Sequence, residues 1–391
     1  MSTELLLTSG ADWQKVDRFG ISAGDLVLNN AHQKCFDILV DFAARSFSDH
    51  GGRGSCVTYE KVRQNNFNKQ YLAASVSYQD NDAILIDSKG DPVMSAWEGD
   101  IMSNTVSLML TLVKRQKRVG KSTPSSASKK CETIQNKNES GRHPVSVLNI
   151  GFGLGVVDTA FQTKISASKD FVMGKHVICE AHPEVLKKMD EWILQQHANT
   201  DVSIGSGSRA KGTILDGPEC GKAGAKIIIV NKPWQVAIED IIAYGPYDFI
   251  YFDTFAENYL DQHVFNRHIP CLLKPSGVYS FFHGVACHSI TAYAVASKIA
   301  QLNLASLGLS CHFARLLLSA SQDEEFNHVG RRYWQWPAIL LPFVQHSNKI
   351  DIDNALQVSS ITSDFLADYR DCSSQGQASK KRKKLEIFYD A

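Results

Sequence analysis

The sequence predicts an α/β fold, a Rossmann-like, doubly wound parallel sheet carrying an N-terminal helical and hairpin extension. Three observations predict it. Between Val145 and about Leu318, short apolar runs alternate with helical segments, as expected when crossover helices cover both faces of a parallel sheet. The first run leads into a glycine-rich turn, Gly151-Phe-Gly-Leu-Gly155. The second ends on an acidic residue, Glu180, 25 residues beyond Gly155, near the offset at which such sheets place a ribose-binding carboxylate.

Taken in order, residues 1–66 form a helical appendage. Within it, His32–Ser46 places Phe36, Ile38, Leu39, Phe42 and Ala43 on one helical face. Residues 67–347 form the main domain. Ala83–Asp87 and Val93–Trp97 flank Ser88-Lys-Gly-Asp-Pro92, two strands around a turn, and a helix follows from Met102 to Leu112. Two Lys/Ser/Gly-biased stretches, about 114–144 and 200–225, carry too little apolar surface to pack and are expected to be disordered inserts. Five strands are expected at Val145–Ile150, His176–Glu180, Lys226–Val230, Tyr247–Asp253 and Gly277–Phe282. Later strands fit Phe313–Leu318 and Trp336–Phe343. Residues 348–391 make a tail that contains the basic run Ser379-Lys-Lys-Arg-Lys-Lys384.

Composition excludes several classes. The 391 residues hold 41 Lys+Arg and 41 Asp+Glu, a formal net charge of zero. That balance argues against direct nucleic-acid binding by bulk electrostatics. No apolar run is long enough to span a bilayer, and the N-terminus lacks a secretory pattern, so no membrane partner is expected. Nine cysteines lie without a Cys-x-x-Cys pair, which fits reduced thiols of the cytoplasm or nucleus and no metal site. The basic tail run reads equally as a nuclear-import signal or a solvated tail.

The chemistry-bearing motifs fall at strand ends. Gly151, Gly153 and Gly155 let the chain turn sharply and bring backbone close to a ligand. Gly-x-Gly-x-Gly departs from the dinucleotide fingerprint; in S-adenosylmethionine enzymes this turn accommodates the amino-acid and ribose moieties. Glu180 can accept hydrogen bonds from both ribose hydroxyls. Trp234 and Gln235 could pack on an adenine and bond its edge, although a Trp is more often a core residue. Asp253 sits where the fourth strand should end, which is either a carboxylate facing an acceptor or a helix cap. Glu98 adds a second carboxylate after Trp97, and Met94 and Met102 supply adaptable apolar groups. The plainer reading of that segment is a hairpin and helix covering the sheet edge.

In combination these motifs are familiar. Asn149-Ile-Gly-Phe-Gly-Leu-Gly155, Glu180-Ala-His-Pro-Glu-Val-Leu-Lys-Lys-Met189, Trp234-Gln235, Tyr251-Phe-Asp-Thr-Phe-Ala-Glu-Asn-Tyr259 and Leu272-Leu-Lys-Pro-Ser-Gly-Val-Tyr-Ser-Phe-Phe282 occur in order. Over about residues 68–345 the chain closely resembles the type IV protein arginine methyltransferases, which methylate the bridging δ (N5) nitrogen of arginine. More distantly it resembles guanidinoacetate N-methyltransferase, through Pro92-Val-Met94, Trp97-Glu98 and Asp253-Thr254. Three departures stand out: Asn231-Lys-Pro precedes Trp234 in place of a glycine, His283 replaces an Asn, and the relatives' ankyrin-like region is reduced to the helix at 32–46.

The resemblance implies a class I S-adenosylmethionine-dependent methyltransferase fold and that cofactor. It implies contacts from Tyr71, Met94 and Met102 in an N-terminal lid, and from Gly151, Phe152, Gly153, Leu154, Gly155 and Val156 in the turn. Glu180, Ala181 and His182 would line the ribose and adenine, and Trp234 and Gln235 would flank the adenine. Asp253 would lie between the transferred methyl and the acceptor, and Glu98 would hold the guanidino group. The implied substrate is a protein with an exposed arginine, of ribosomal type. The alternatives are a small guanidino substrate and a non-catalytic scaffold in ribosome assembly.

Overall fold

A computed structural model describes residues 2–18, 20–53, 67–119, 141–198, 226–286, 289–318 and 338–347. They fall into two compact units. One runs Asn66–Phe282; the other joins Met1–Asn65 to His283–Ala391. The residues after Phe282 therefore group with the N-terminal segment, where the sequence suggests a single domain continuing to 347.

Within Asn66–Phe282, a small antiparallel sheet comprises β1 (Ser77–Gln79), β2 (Ile84–Ile86) and β3 (Pro92–Ser95). The expected hairpin is the β2–β3 pair, closed by the turn in which Lys89 and Asp91 N–H donate to Asp87 Oδ1. A helix then spans Gly99–Val119. It extends through 119, so the first part of the expected insert is helical; the buried stripe that anchors the helix, Ile101, Met102, Val106, Met109 and Val113, ends just before it. The rest of that insert from 120 to 140, the stretch 199–225 and the tail from 348 lie outside the described residues.

The main sheet of this unit has the order β6-β5-β4-β7-β8, all parallel. Its strands are β4 (His143–Ile150), β5 (Phe171–Glu180), β6 (Lys226–Asn231), β7 (Tyr247–Phe252) and β8 (Leu273–Phe281). Every residue of β7 is buried, as an apolar central strand covered on both faces must be. After β4 the chain moves outward through β5 and β6, then returns to place β7 on the opposite side of β4. Such a reversal opens a crevice at the carboxyl ends of the two strands. Ile150 pairs with Phe252, so the residues that emerge side by side there are Gly151 and Asp253.

The other unit contains helices Thr3–Thr8, Ala23–Asn29, Gln33–Arg53 and Ile290–Ser306, and the antiparallel pair β9 (Leu309–Leu317) and β10 (Ala338–His346). Gly24 packs directly on Thr291, and Asp25 Oδ1 accepts from the Thr291 hydroxyl. His283 is buried, with Nε2 2.8 Å from Ser297 Oγ and its ring against Tyr293 and Phe313. Burial lowers its pKa to about 3. Among the described residues, no helix is long and apolar enough to cross a membrane.

Candidate active site

The glycine turn is shaped by contacts that leave no room for side chains. Gly151 has φ +90°, and a Cβ there would overlap the Asp253 carbonyl oxygen. At Gly153 (φ +56°) an added Cβ would lie 2.8 Å from Met94 Sδ, which also accepts the Leu154 N–H at 3.2 Å. Gly155 closes the turn on the Phe152 carbonyl at 2.8 Å and starts the helix Val156–Ser166. Phe152 is buried edge-on against Trp192. Val156 lies where a Cβ on Gly99 would touch it, which brings the residue after Glu98 to the turn.

Behind the turn runs a buried polar chain. Asn149 Nδ2 donates to the Gly151 carbonyl at 2.7 Å and to Asp158 Oδ2 at 2.8 Å. Asp158 Oδ1 lies 2.9 Å from His176 Nε2, with both side chains fully buried, and His176 Nδ1 is 3.0 Å from Gln162 Nε2. The sequence hides this chain, because Asn149, Asp158 and His176 meet only when β4, its following helix and β5 are assembled.

Glu180, at the tip of β5, binds backbone. Oε2 accepts from Phe152 N–H at 2.9 Å, and Oε1 accepts from Ala181 and His182 N–H at 2.7 Å each. A carboxylate offers about four acceptor positions. With three used, one remains for a ribose hydroxyl, where the sequence alone suggests two. His182 takes the Glu184 N–H on Nδ1 and faces the Ala74 carbonyl through Nε2 at 3.1 Å, so Nε2 carries the proton. Tyr71, on the helix Phe67–Ala73, sits between His182 and Phe255 at 4.8 and 4.9 Å. Burial and then the Glu180 charge raise its phenol pKa.

Trp234 and Gln235 begin the helix after β6. Trp234 is buried, edge-on to Phe252 and Phe265, so its ring is part of the core under the site. Met102 is fully buried as well. Both Trp234 Nε1–H and Gln235 Nε2–H donate to Glu257, a residue no motif reading singles out.

At the tip of β7, the Asp253 N–H is tied to the Ile150 carbonyl, while the buried Oδ2 has no hydrogen-bond partner. Desolvation raises this carboxyl to about 7. Tyr251, two residues earlier and buried, has its phenol pKa raised by burial and then by the charges of Asp253 and Glu98. Glu98 is itself buried, in the short turn Ala96–Glu98 after β3. The partnerless Oδ2 of Asp253 is costly to bury and suits a site awaiting a cation.

These residues fit S-adenosylmethionine: a turn stripped of Cβ atoms at the switch point, one acceptor position left on Glu180, and an acid with a partnerless buried oxygen at the neighbouring strand tip. Fold and site together define an S-adenosylmethionine-dependent methyltransferase. Comparison with known proteins narrows the class. The chain is 31% identical over 348 residues to "Protein arginine N-methyltransferase 2" of Cryptococcus neoformans, covering 88% of this chain and 82% of that one. The chain belongs to the protein arginine N-methyltransferase 2 family. It is 30% identical over 279 residues to the Yarrowia lipolytica member and 28% over 268 residues to that of Saccharomyces cerevisiae, matching 70% and 68% of this chain but spanning only 46% and 50% of those relatives. No family model matches. Among solved structures, Aquifex aeolicus MNMC2 (TM-score 0.32, 12% identity, 86% of this chain and 97% of that one) and Aeropyrum pernix fibrillarin in complex with S-adenosyl-L-methionine (TM-score 0.31, 10%, 52% and 66%) are similar at a level that carries no argument about function.

Proposed function

We propose that this protein methylates the δ (N5) nitrogen of an arginine side chain in a protein substrate of ribosomal type. The observation that carries the reading is the Asp253 carboxyl, whose buried Oδ2 has no hydrogen-bond partner, at the strand tip beside the glycine turn.

Bound S-adenosylmethionine supplies a methyl group on a sulfonium. The work of the chain is to present an acceptor. A guanidinium is planar and protonated, hence a poor nucleophile. Asp253 and Glu98 hold it as a clamp and fix its plane. As the new N–C bond forms and the S–C bond breaks, the nitrogen gives up its proton, and the ionised Asp253 carboxylate stabilises the charge and accepts that proton. The arriving cation also supplies the partner Asp253 lacks, favouring its charged form. Selection of N5 over a terminal nitrogen follows from approach along the arginine chain, and the support for it is the resemblance to type IV enzymes.

The test is to incubate the protein with labelled S-adenosylmethionine and a ribosomal protein fraction, then analyse acid hydrolysates by fragmentation mass spectrometry. Label in N5-methylarginine supports the reading. Label in terminal methylarginines overturns the position, and label confined to small guanidino compounds overturns the protein substrate. Residence in both cytoplasm and nucleus rests on the Ser379–Lys384 run; an unchanged cellular distribution after its deletion removes the nuclear assignment to that run.

A further inference from the structure

We infer that Glu257 is a positioning residue that orients the amide of Gln235 and so makes the cofactor pocket select a 6-amino purine. This rests on the reading of the site as an S-adenosylmethionine pocket and goes beyond it. Glu257 is half-buried in the segment between β7 and the helix Tyr259–Asn266. Four side chains donate to its carboxylate: Trp234 Nε1 at 2.9 and 3.0 Å, Gln235 Nε2 at 2.6 Å, Thr254 Oγ1 at 2.7 Å and Asn68 Nδ2 at 2.9 Å. A carboxylate has about four acceptor positions, so Glu257 is saturated and has none left for a ligand.

The consequence lies in what its partners cannot do. An indole N–H is donor-only, so the carboxylate must accept from Trp234. Gln235 can reach an acceptor only with its NH₂ end, which settles which way the amide is turned. Gln235 Nε2 is committed to Glu257, and no other side-chain bond of Gln235 is made among the described residues. In the adenine-side place that the family resemblance implies for Gln235, the end left for a ligand is then the carbonyl Oε1, an acceptor. The exocyclic amine of adenine is a donor and suits it; the 6-oxo group of hypoxanthine is an acceptor and is repelled. Glu257→Gln converts one oxygen to NH₂, leaves four donors competing for fewer acceptor positions, and frees the amide to turn. Asn68 ties the helix Phe67–Ala73 to the same carboxylate, so one group fixes this helix, the adenine-side amide and Thr254 beside Asp253.

The experiment is calorimetric binding of S-adenosylhomocysteine and S-inosylhomocysteine to the full chain, its Glu257→Gln variant and its Gln235→Leu variant, with melting curves for each. The expected result is an adenosyl preference of about tenfold or more in the full chain, the scale of one buried hydrogen bond, that collapses towards unity in both variants. The Gln235→Leu variant removes only the amide and so keeps the test open should Glu257→Gln fold poorly. A preference that survives in Gln235→Leu overturns the inference, as does one kept by a folded Glu257→Gln. Should the full chain bind neither nucleoside, the cofactor reading falls with it; binding of both with equal affinity overturns the Glu257 inference alone.

Discussion

The backbone of Gly151 meets the carbonyl of Asp253 so closely that a Cβ on residue 151 would overlap the oxygen. The parallel pairing of Ile150 with Phe252 makes this contact, and it joins the cofactor turn to the acid at the next strand tip. Gly151→Ala must move one of the two. The positive φ alone costs about 1–3 kcal/mol, and the overlap adds to it. A drop in melting temperature and loss of S-adenosylhomocysteine binding by calorimetry are expected; a variant with native affinity would show the contact to be slack.

Asp253→Asn separates catalysis from stability. The folded carboxyl titrates near 7, far above its ordinary value of 3.8, because burial penalises its charge. Between those pH values the unfolded chain releases the proton while the folded one keeps it. Stability contributed by this group therefore falls as pH rises from about 4 to 7 and stays reduced above. The uncharged Asn escapes that penalty. A higher melting temperature than wild type at pH 8, little difference near pH 4, and turnover lower by about 10²–10³-fold are expected. Near-normal turnover with cofactor still bound would remove Asp253 from the clamp.

Glu98→Gln tests the second arm. If Glu98 holds the guanidinium, the loss is one charge-assisted hydrogen bond, about 1.5–3 kcal/mol. Steady-state assays with an arginine-containing protein substrate should show kcat/KM down roughly ten- to a hundredfold, while cofactor affinity changes little. Equal losses in both would mark Glu98 as a support of the turn through Gly99 and Val156.

His283 gives a pH signature in the other unit. Burial holds it near 3 in the folded state, below an ordinary 6.5. Below about pH 6.5 the unfolded chain gains a proton that the folded chain refuses, so stability declines as pH falls towards 3. Urea denaturation at pH 7 and pH 5 should show a smaller decline in His283→Asn than in the parent chain. An identical decline would place the proton elsewhere.

Local pattern determined much of this protein. The runs at 145–150, 176–180, 226–230 and 247–253 announce buried parallel strands because both faces of such strands are apolar, and the glycines at 151, 153 and 155 announce a turn because few other residues tolerate positive φ. Asp253 was legible from its place at a strand end. Tertiary structure alone decided what the polar groups do. Glu180 spends three acceptor positions on backbone N–H groups, Trp234 turns into the core, and Glu257 gathers four donors from Asn68, Trp234, Gln235 and Thr254. Hydrogen bonds between residues as far apart in sequence as 68 and 257 leave no periodicity to read. Whether a carboxylate is saturated or left wanting is decided only when distant strands and helices are brought together around it.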